Sequence, residues 1–366
     1  MSDRKRASLS GALVCLGLLV AGCSAPPGPP SSPVTPIGAP AAGAPAASSP
    51  TAEAEKLQFG RLIGTISLNY IAHDMGFWAE EGLDIEMPVL DSAARMIPLL
   101  ASGQLDVGLG GSNAGLFNAA GRGLPLRIVA GAARPAPGQS ITAFVVRKTL
   151  LDSSQVRSFA DLRGRSVAIP AKGTSTQALL AAGLARDGLT PDDLELVEMN
   201  YTDQLAAFAN GALDVGFQIE PSMTVGELRG LFGRWTPIDE IYPYHEDGML
   251  LFGPSLVEAA PETARRFMIG YLRGLRAYRE ALRTPEGRER IVQIWIKNGG
   301  PADHAIYDRM TFPYVDPNGH VNRDSLAWDA EWLFANGYLQ AKPDFGRLVD
   351  DQFVDYAVQR LGAWHE

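Results

Sequence analysis

Gly173-Thr174-Ser175 stands directly ahead of a stretch with helical spacing over residues 175–187. Hydroxyls and free amides at such a start can hold an anionic or carbonyl group through the helix's positive end. The same residues can also act as a plain N-cap, worth about 1 kcal/mol of stability. Ser112 and Asn113 follow Gly110-Gly111, where missing side chains let the backbone come close to a solute. Glu220 closes the apolar run 215–219. A carboxylate in that setting would favour an amine or amidine, or would pair with a base such as Arg61. Tyr201 and Phe217 sit near strand ends, where rings can stack on a planar group. Tyr70 and Phe77, seven apart on one helical stretch, read as core. His73, His245, His304, His320 and His365 lack metal-ligand spacing, and no G-x-S-x-G, Walker or H-E-x-x-H segment is present. No familiar metal, cofactor or nucleophile pattern is evident, and these residue types suit contact with a small solute.

The elements that must position them are duplicated. Gly103-Gln104-Leu105-Asp106-Val107-Gly108 and Gly211-Ala212-Leu213-Asp214-Val215-Gly216 share five of six residues at an offset of 108. Glu81-Gly82-Leu83 pairs with Asp187-Gly188-Leu189, and Gly60-Arg61 with Gly164-Arg165, at offsets of 106 and 104. Markers in one order with drifting offsets mean two similar halves with small insertions. Each half reads as a strand (57–63; 166–170), a helix (67–81; 175–187), a strand (85–90; 194–199), a helix (93–101; 203–210) and a third strand opened by Leu-Asp-Val-Gly. Alternation of this kind predicts two α/β lobes with parallel-rich sheets. Residues 126–133 and 142–147 read as further strands, and 248–252 as a strand returning from the second lobe. From Pro261 onward four helical stretches (265–282, 286–297, 324–336, 344–361) are expected to cover the first lobe. The division is then 57–148 with 247–366 for lobe 1, and 149–246 for lobe 2. Two crossing strands would hinge the lobes, with the solute at the strands' carboxyl ends.

The front of the chain reads as an address. Arg4-Lys5-Arg6, a short apolar stretch and Val20-Ala21-Gly22-Cys23 have the layout of a secretory signal over 1–22. The last four residues resemble the lipobox of bacterial lipoproteins, in which the cysteine, here Cys23, carries the lipid. Residues 24–56, almost all Pro, Ala, Gly and Ser, read as a disordered tether. A formal charge of −9, from 41 acidic and 32 basic residues, sets nucleic acid aside as a partner. The membrane is left to the lipid alone. Cys15 and Cys23 are the two cysteines, so the body can form no disulfide and no thiolate metal site.

Gly76-Phe77-Trp78-Ala79-Glu80-Glu81-Gly82-Leu83-Asp84-Ile85 resembles the G-[FY]-[FW]-x-x-E-G-L-[DE]-[VI] segment of bacterial solute-binding proteins of the nitrate, taurine, sulfonate and thiamine-precursor type. Both G-x-L-D-V-G repeats and Phe159-Ala160-Asp161-Leu162-Arg163-Gly164 are similar to the same family, over about residues 57–290. The resemblance implies a two-lobed periplasmic-binding-protein fold of the second type. It implies a lipid-anchored, extracytoplasmic monomer that closes on a small organic solute or anion, such as a sulfonate, carboxylate or pyrimidine-like compound. The solute would then pass to an ABC permease and its ATPase. The family's ligand loops map onto Arg61, Thr65, Ile66, Ser112, Asn113, Thr174, Ser175, Tyr201, Glu220 and Met249. The alternative is a secreted enzyme on the fold of the thiamine-pyrimidine synthase. That enzyme's lysine and histidine fall on Gly110 and Ala114 here, and its cysteine cluster is missing.

Overall fold

The structure, a computed structural model, describes residues 54–62, 67–90 and 93–365. The signal, Cys23, the tether as far as residue 53, Thr65 and Ile66 lie outside the described residues, while Glu55 and Lys56, expected to end the tether, instead begin strand Glu55–Leu62 by pairing with Leu83 and Asp84. Two sheets carry the fold. The first runs in the order Leu83–Glu86, Glu55–Leu62, Val107–Gly110, Met249–Phe252, Arg127–Gly131, with Val89–Leu90 also on Glu55–Leu62. The second runs Phe232–Pro237, Thr142–Arg147, Val215–Ile219, Ser166–Ile169, Glu195–Glu198. Each takes in one strand that runs against both of its neighbours, Met249–Phe252 in the first and Thr142–Arg147 in the second.

Those two antiparallel strands are exchanged between the lobes. The chain crosses once over residues 132–141 and returns over 238–248. A division at 148 would leave Thr142–Arg147 with lobe 1, yet this strand pairs along its length with Val215–Ile219 and Phe232–Pro237. Its five consecutive buried residues suit a central strand covered on both faces, a pattern that does not say which of two sheets receives it.

The repeat has a structural reason. Gly103 and Gly211 take φ of 72° and 78°, a left-handed turn that glycine adopts without strain at a helix end. The aspartate three residues on then ties the neighbouring parallel strand to a further segment of the chain. Asp106 accepts from the Gln58 amide (2.8 Å) and the Ser255 hydroxyl (2.6 Å). Asp214 accepts from Arg147 Nη2 (2.5 Å), and its own amide donates to Ser166 Oγ (3.0 Å).

Helix Pro261–Ala281 lays Phe267, Met268, Tyr271, Leu272, Leu275 and Tyr278 on the first sheet, where Phe267 stacks on Trp78 (4.9 Å). Two expected helices are broken. Residues 67–81 form Asn69–Asp74 and Phe77–Glu80, split at Gly76 (φ 75°), and 344–361 form Phe345–Leu348 and Gln352–Leu361. The C-terminal region also does more than cover lobe 1. Helix Arg323–Ala335 sets Trp328 against the apolar cluster of lobe 2, 5.2 Å from the Tyr242 ring.

Asp106→Ala should lower stability by about 2 kcal/mol, since it removes two hydrogen bonds joining distant segments. A denaturant midpoint that does not move would refute this tie.

Candidate functional site

A cavity of about 310 Å³ lies where the carboxyl ends of the two sheets meet. Lobe 1 contributes Arg61, from the end of strand Glu55–Leu62, and Tyr70, from the short helix Asn69–Asp74. Lobe 2 contributes Leu205, and Pro221, Ser222 and Val225 just past strand Val215–Ile219. Trp295 and residues 298–301 complete the wall, and Trp295 is held by its Nε1–H donating to the Ser67 carbonyl (3.2 Å). The Arg61 guanidinium stands 5.3 Å from the centre of the Tyr70 ring. Arg61 Nε and the Tyr70 hydroxyl are both buried without a hydrogen-bond partner. Burial pushes the Tyr70 phenol up, against the opposing pull of Arg61.

Ser112, Asn113, Thr174 and Ser175 are brought together, but as a seam between the lobes. The Ser175 amide donates to the Ser112 carbonyl (3.1 Å) and the Ala114 amide to the Gly173 carbonyl (2.9 Å). Asn113 caps helix Ala114–Gly121 by accepting from the Leu116 amide (2.9 Å). The Thr174 hydroxyl donates to the Ala171 carbonyl (2.8 Å). The start of helix Ser175–Ala185, expected to greet an anion, has therefore given an amide to the other lobe. The seam leaves the Ser112 hydroxyl buried and unpartnered.

Glu220 is a correction. It is 4% exposed and its oxygens are occupied within the protein. It accepts from Arg234 Nη2 (2.6 Å), the Thr224 hydroxyl (3.0 Å) and amide (3.1 Å), and the Thr311 amide (3.2 Å). Arg234 also donates to the Thr311 hydroxyl (3.0 Å), so this network crosses from lobe 2 to the C-terminal region. The base is Arg234, not Arg61: strand Phe232–Pro237 lies in the same sheet as Val215–Ile219, with Thr142–Arg147 between them, and Arg234 reaches Glu220 and the Thr224 hydroxyl (2.8 Å) across that gap. Met249 and Phe217 are corrections too. Met249 is packed in the core of lobe 1, and Phe217 sits edge-to-face on Phe144 (5.3 Å). Tyr201 packs on the apolar cluster of lobe 2, with burial first and the Asp247 charge second raising its phenol well above the usual range. Tyr70, read as core, lines the cavity instead. Trp295 and residues 298–301 had no signal in the sequence, because they reach the cleft from the end of a helix far along the chain.

A second cluster joins the crossings. The Thr142 hydroxyl, at the end of the first, donates to Asp247 Oδ2 (2.7 Å) in the second. His245, fully buried, faces Asp247 Oδ1 (2.9 Å) and Asp329 Oδ1 (3.1 Å) through its two ring nitrogens. Burial alone would depress this imidazole, but the two carboxylates, Asp329 foremost, hold it up at about 10. Glu246 is raised by burial to about 7, against the pull of Arg134 Nη1 (3.6 Å) and the Asn322 amide (2.7 Å).

Comparison with known proteins places these features. A family profile described as NMT1/THI5 like matches residues 65–287. The taurine-binding periplasmic protein of Escherichia coli (strain K12) is 29% identical, covering 53% of this chain and 57% of its own. The riboflavin-binding protein RibY of Chloroflexus aurantiacus is 27% identical, covering 92% and 95%. The chain spans about half the length (48%) of the 26% identical binding proteins it matches in Brucella, over 50% of its own. Among solved structures, the alkanesulfonate-binding protein SsuA of Xanthomonas axonopodis pv. citri, bound to MOPS, superposes with a TM-score of 0.65 at 20% identity, over 82% of this chain and 99% of that one. The desulfurization enzyme DSZB does so at 0.61 and 17%, over 84% and 99%. At these identities the superpositions speak for a shared fold of two α/β sheets flanked by helices.

The hinge cluster carries a pH dependence with a definite sign. An unfolded histidine loses its proton near pH 6.5 and the folded His245 near 10. Its contribution is full below 6.5 and is lost as pH climbs through 10. Glu246, an acid whose folded pKa is raised, adds a cost that grows from about 4.5 to 7 and stays level above. Melting temperature should therefore fall from pH 6 to pH 10, and His245→Gln should flatten the upper part of that fall. A wild-type profile that rises over this range would refute the assignment. Glu220→Gln should cost about 2 kcal/mol in a denaturant titration, because it strips a charged partner from Arg234. An unchanged midpoint would mean the carboxylate is not held as described.

Proposed function

The chain belongs to the NMT1/THI5-like family, and on that premise we propose that it is an extracytoplasmic solute-binding lipoprotein. It captures a small organic solute or anion between its lobes and delivers it to an ABC permease and ATPase, without catalysing a reaction. One observation carries this reading: the cavity's wall is divided between the carboxyl ends of two separate sheets. Neither lobe encloses a solute alone, so filling the cavity and bringing the lobes together are one event. The names of the relatives support it, since taurine, riboflavin and a sulfonate buffer are small solutes held by proteins of similar sequence or fold. A lipid on Cys23 and a tether over residues 24–53 would keep such a receptor near the bilayer and within reach of its permease. The protein would work as a monomer.

Solute bound only to the folded, closed chain raises its stability by mass action, by about 2.7 kcal/mol at a hundred times Kd. A melting screen of the full chain against sulfonates, carboxylates, pyrimidines, flavins and nitrate should yield a clear stabiliser. A chain that no member shifts, and that carries no copurified small molecule, would count against capture. Cys23→Ser should move the protein from the membrane to the soluble fraction of the expressing cell. Continued recovery with membranes would count against the lipid anchor.

A further inference from the structure

The cavity's charge is unbalanced. Among the described residues that line it, Arg61 is the one that is formally charged. The acidic groups that could answer it are engaged elsewhere. Asp74, on the helix that carries Tyr70, accepts from Lys297 Nζ (2.8 Å) and Asn298 Nδ2 (3.3 Å). Glu220, one residue before the lining Pro221, is held by Arg234 (2.6 Å). A guanidinium never loses its proton in a protein, so this cation persists at every physiological pH. Its carbon stands 5.3 Å from the centre of the Tyr70 ring, and its Nε is buried with nothing to receive the proton it carries. The Tyr70 hydroxyl is a second buried group without a partner at the same wall. Buried polar groups in native proteins are nearly always satisfied, and two orphans lining one cavity ask for an acceptor from outside the chain.

Resting on the capture reading, we infer that Arg61 and Tyr70 form the anchor for an organic monoanion, a single carboxylate or sulfonate borne on an apolar body. The opposite wall sets the body. Leu205, Pro221 and Val225 from lobe 2, with Trp295, offer apolar surface and no charge. A volume near 310 Å³ is about ten times the share of one liquid water, so an inorganic anion would leave most of it filled with solvent against that wall. A second negative charge on the solute would be stripped of water with no cation to meet it. Lobe 1 thus reads the head group and lobe 2 the remainder. The solute would dock on Arg61 first and be covered second.

The test is calorimetric titration of the full chain with matched compounds on one body: benzenesulfonate, benzoate, benzyl alcohol and benzylamine, with pentanesulfonate, nitrate and sulfate alongside. The monoanions should bind at least tenfold tighter than the alcohol, the amine, nitrate and sulfate. Arg61→Gln should weaken the best monoanion thirtyfold or more while the alcohol is little changed. Tyr70→Phe, which removes one oxygen and preserves packing, should weaken it severalfold, and it serves should Arg61→Gln fail to fold. Tightest binding of the alcohol, the amine or an inorganic anion overturns the anchor and leaves capture standing. So does unchanged monoanion affinity in either variant. Absence of binding by every compound, with no small molecule released on denaturing the purified chain, removes capture and anchor together.

Discussion

Asp247 accepts the Thr142 hydroxyl with one oxygen and meets the His245 ring with the other, and in doing so it ties the two places where the chain passes between lobes. His245 carries the tie onward to Asp329 on helix Arg323–Ala335, while Arg134 in the first crossing faces Glu246 in the second. A hinge built from two loose segments would let the lobes drift in many directions. Bound side by side, the crossings are restricted in how they can shift relative to one another, which would favour hinge-like opening and closing in the receptor proposed here. Burying three carboxylates and an imidazole here is costly in isolation, and it persists because each charge has a partner of opposite sign or a donor.

The lobes meet at two seams. At one, backbone groups of Ser112 and Ala114 exchange hydrogen bonds with Ser175 and Gly173. At the other, Thr311 closes on Glu220 and Arg234. Trp328 adds apolar contact from the C-terminal helix. Backbone bonds at the first seam carry no preference for solute, so they supply closure without specificity. Discrimination is left to the side chains between the seams.

What could be read from the residues divides along physical lines. The repeated Gly-x-Leu-Asp-Val-Gly marked two equivalent lobes because its demands are local: a left-handed turn, then a carboxylate one strand-spacing from a neighbouring amide. The strand Thr142–Arg147 was recognisable as a strand, but its sheet was not, since an apolar run buried on both faces looks the same in either lobe. Glu220 was visible as a buried carboxylate, but its base was not. The choice between Arg61 and Arg234 depends on the strand order of the sheet that carries Glu220, a tertiary fact. Thr174 and Ser175 had the composition of an anion-binding turn, and the opposite loop took the amide that made them so. Tyr70 looked like core because its spacing is that of core, and it is indeed buried, yet it also lines the cavity.

An acidic protein that captured an anion, as proposed here, would need its attraction to be local. The whole chain carries a formal −9, which by itself would repel a negatively charged solute. Screening confines that repulsion, since the Debye length at physiological ionic strength is about 8 Å and exposed charges beyond that reach are largely masked. Inside, the low-dielectric wall weakens screening, and a single unpaired guanidinium outweighs many distant charges. The pairs Asp74–Lys297 and Glu220–Arg234 then acquire a role beyond holding helices in place. Each gives a carboxylate close in sequence to a lining residue a cation of its own, so that neither is left as an unpaired negative charge, and neither pair lines the cavity.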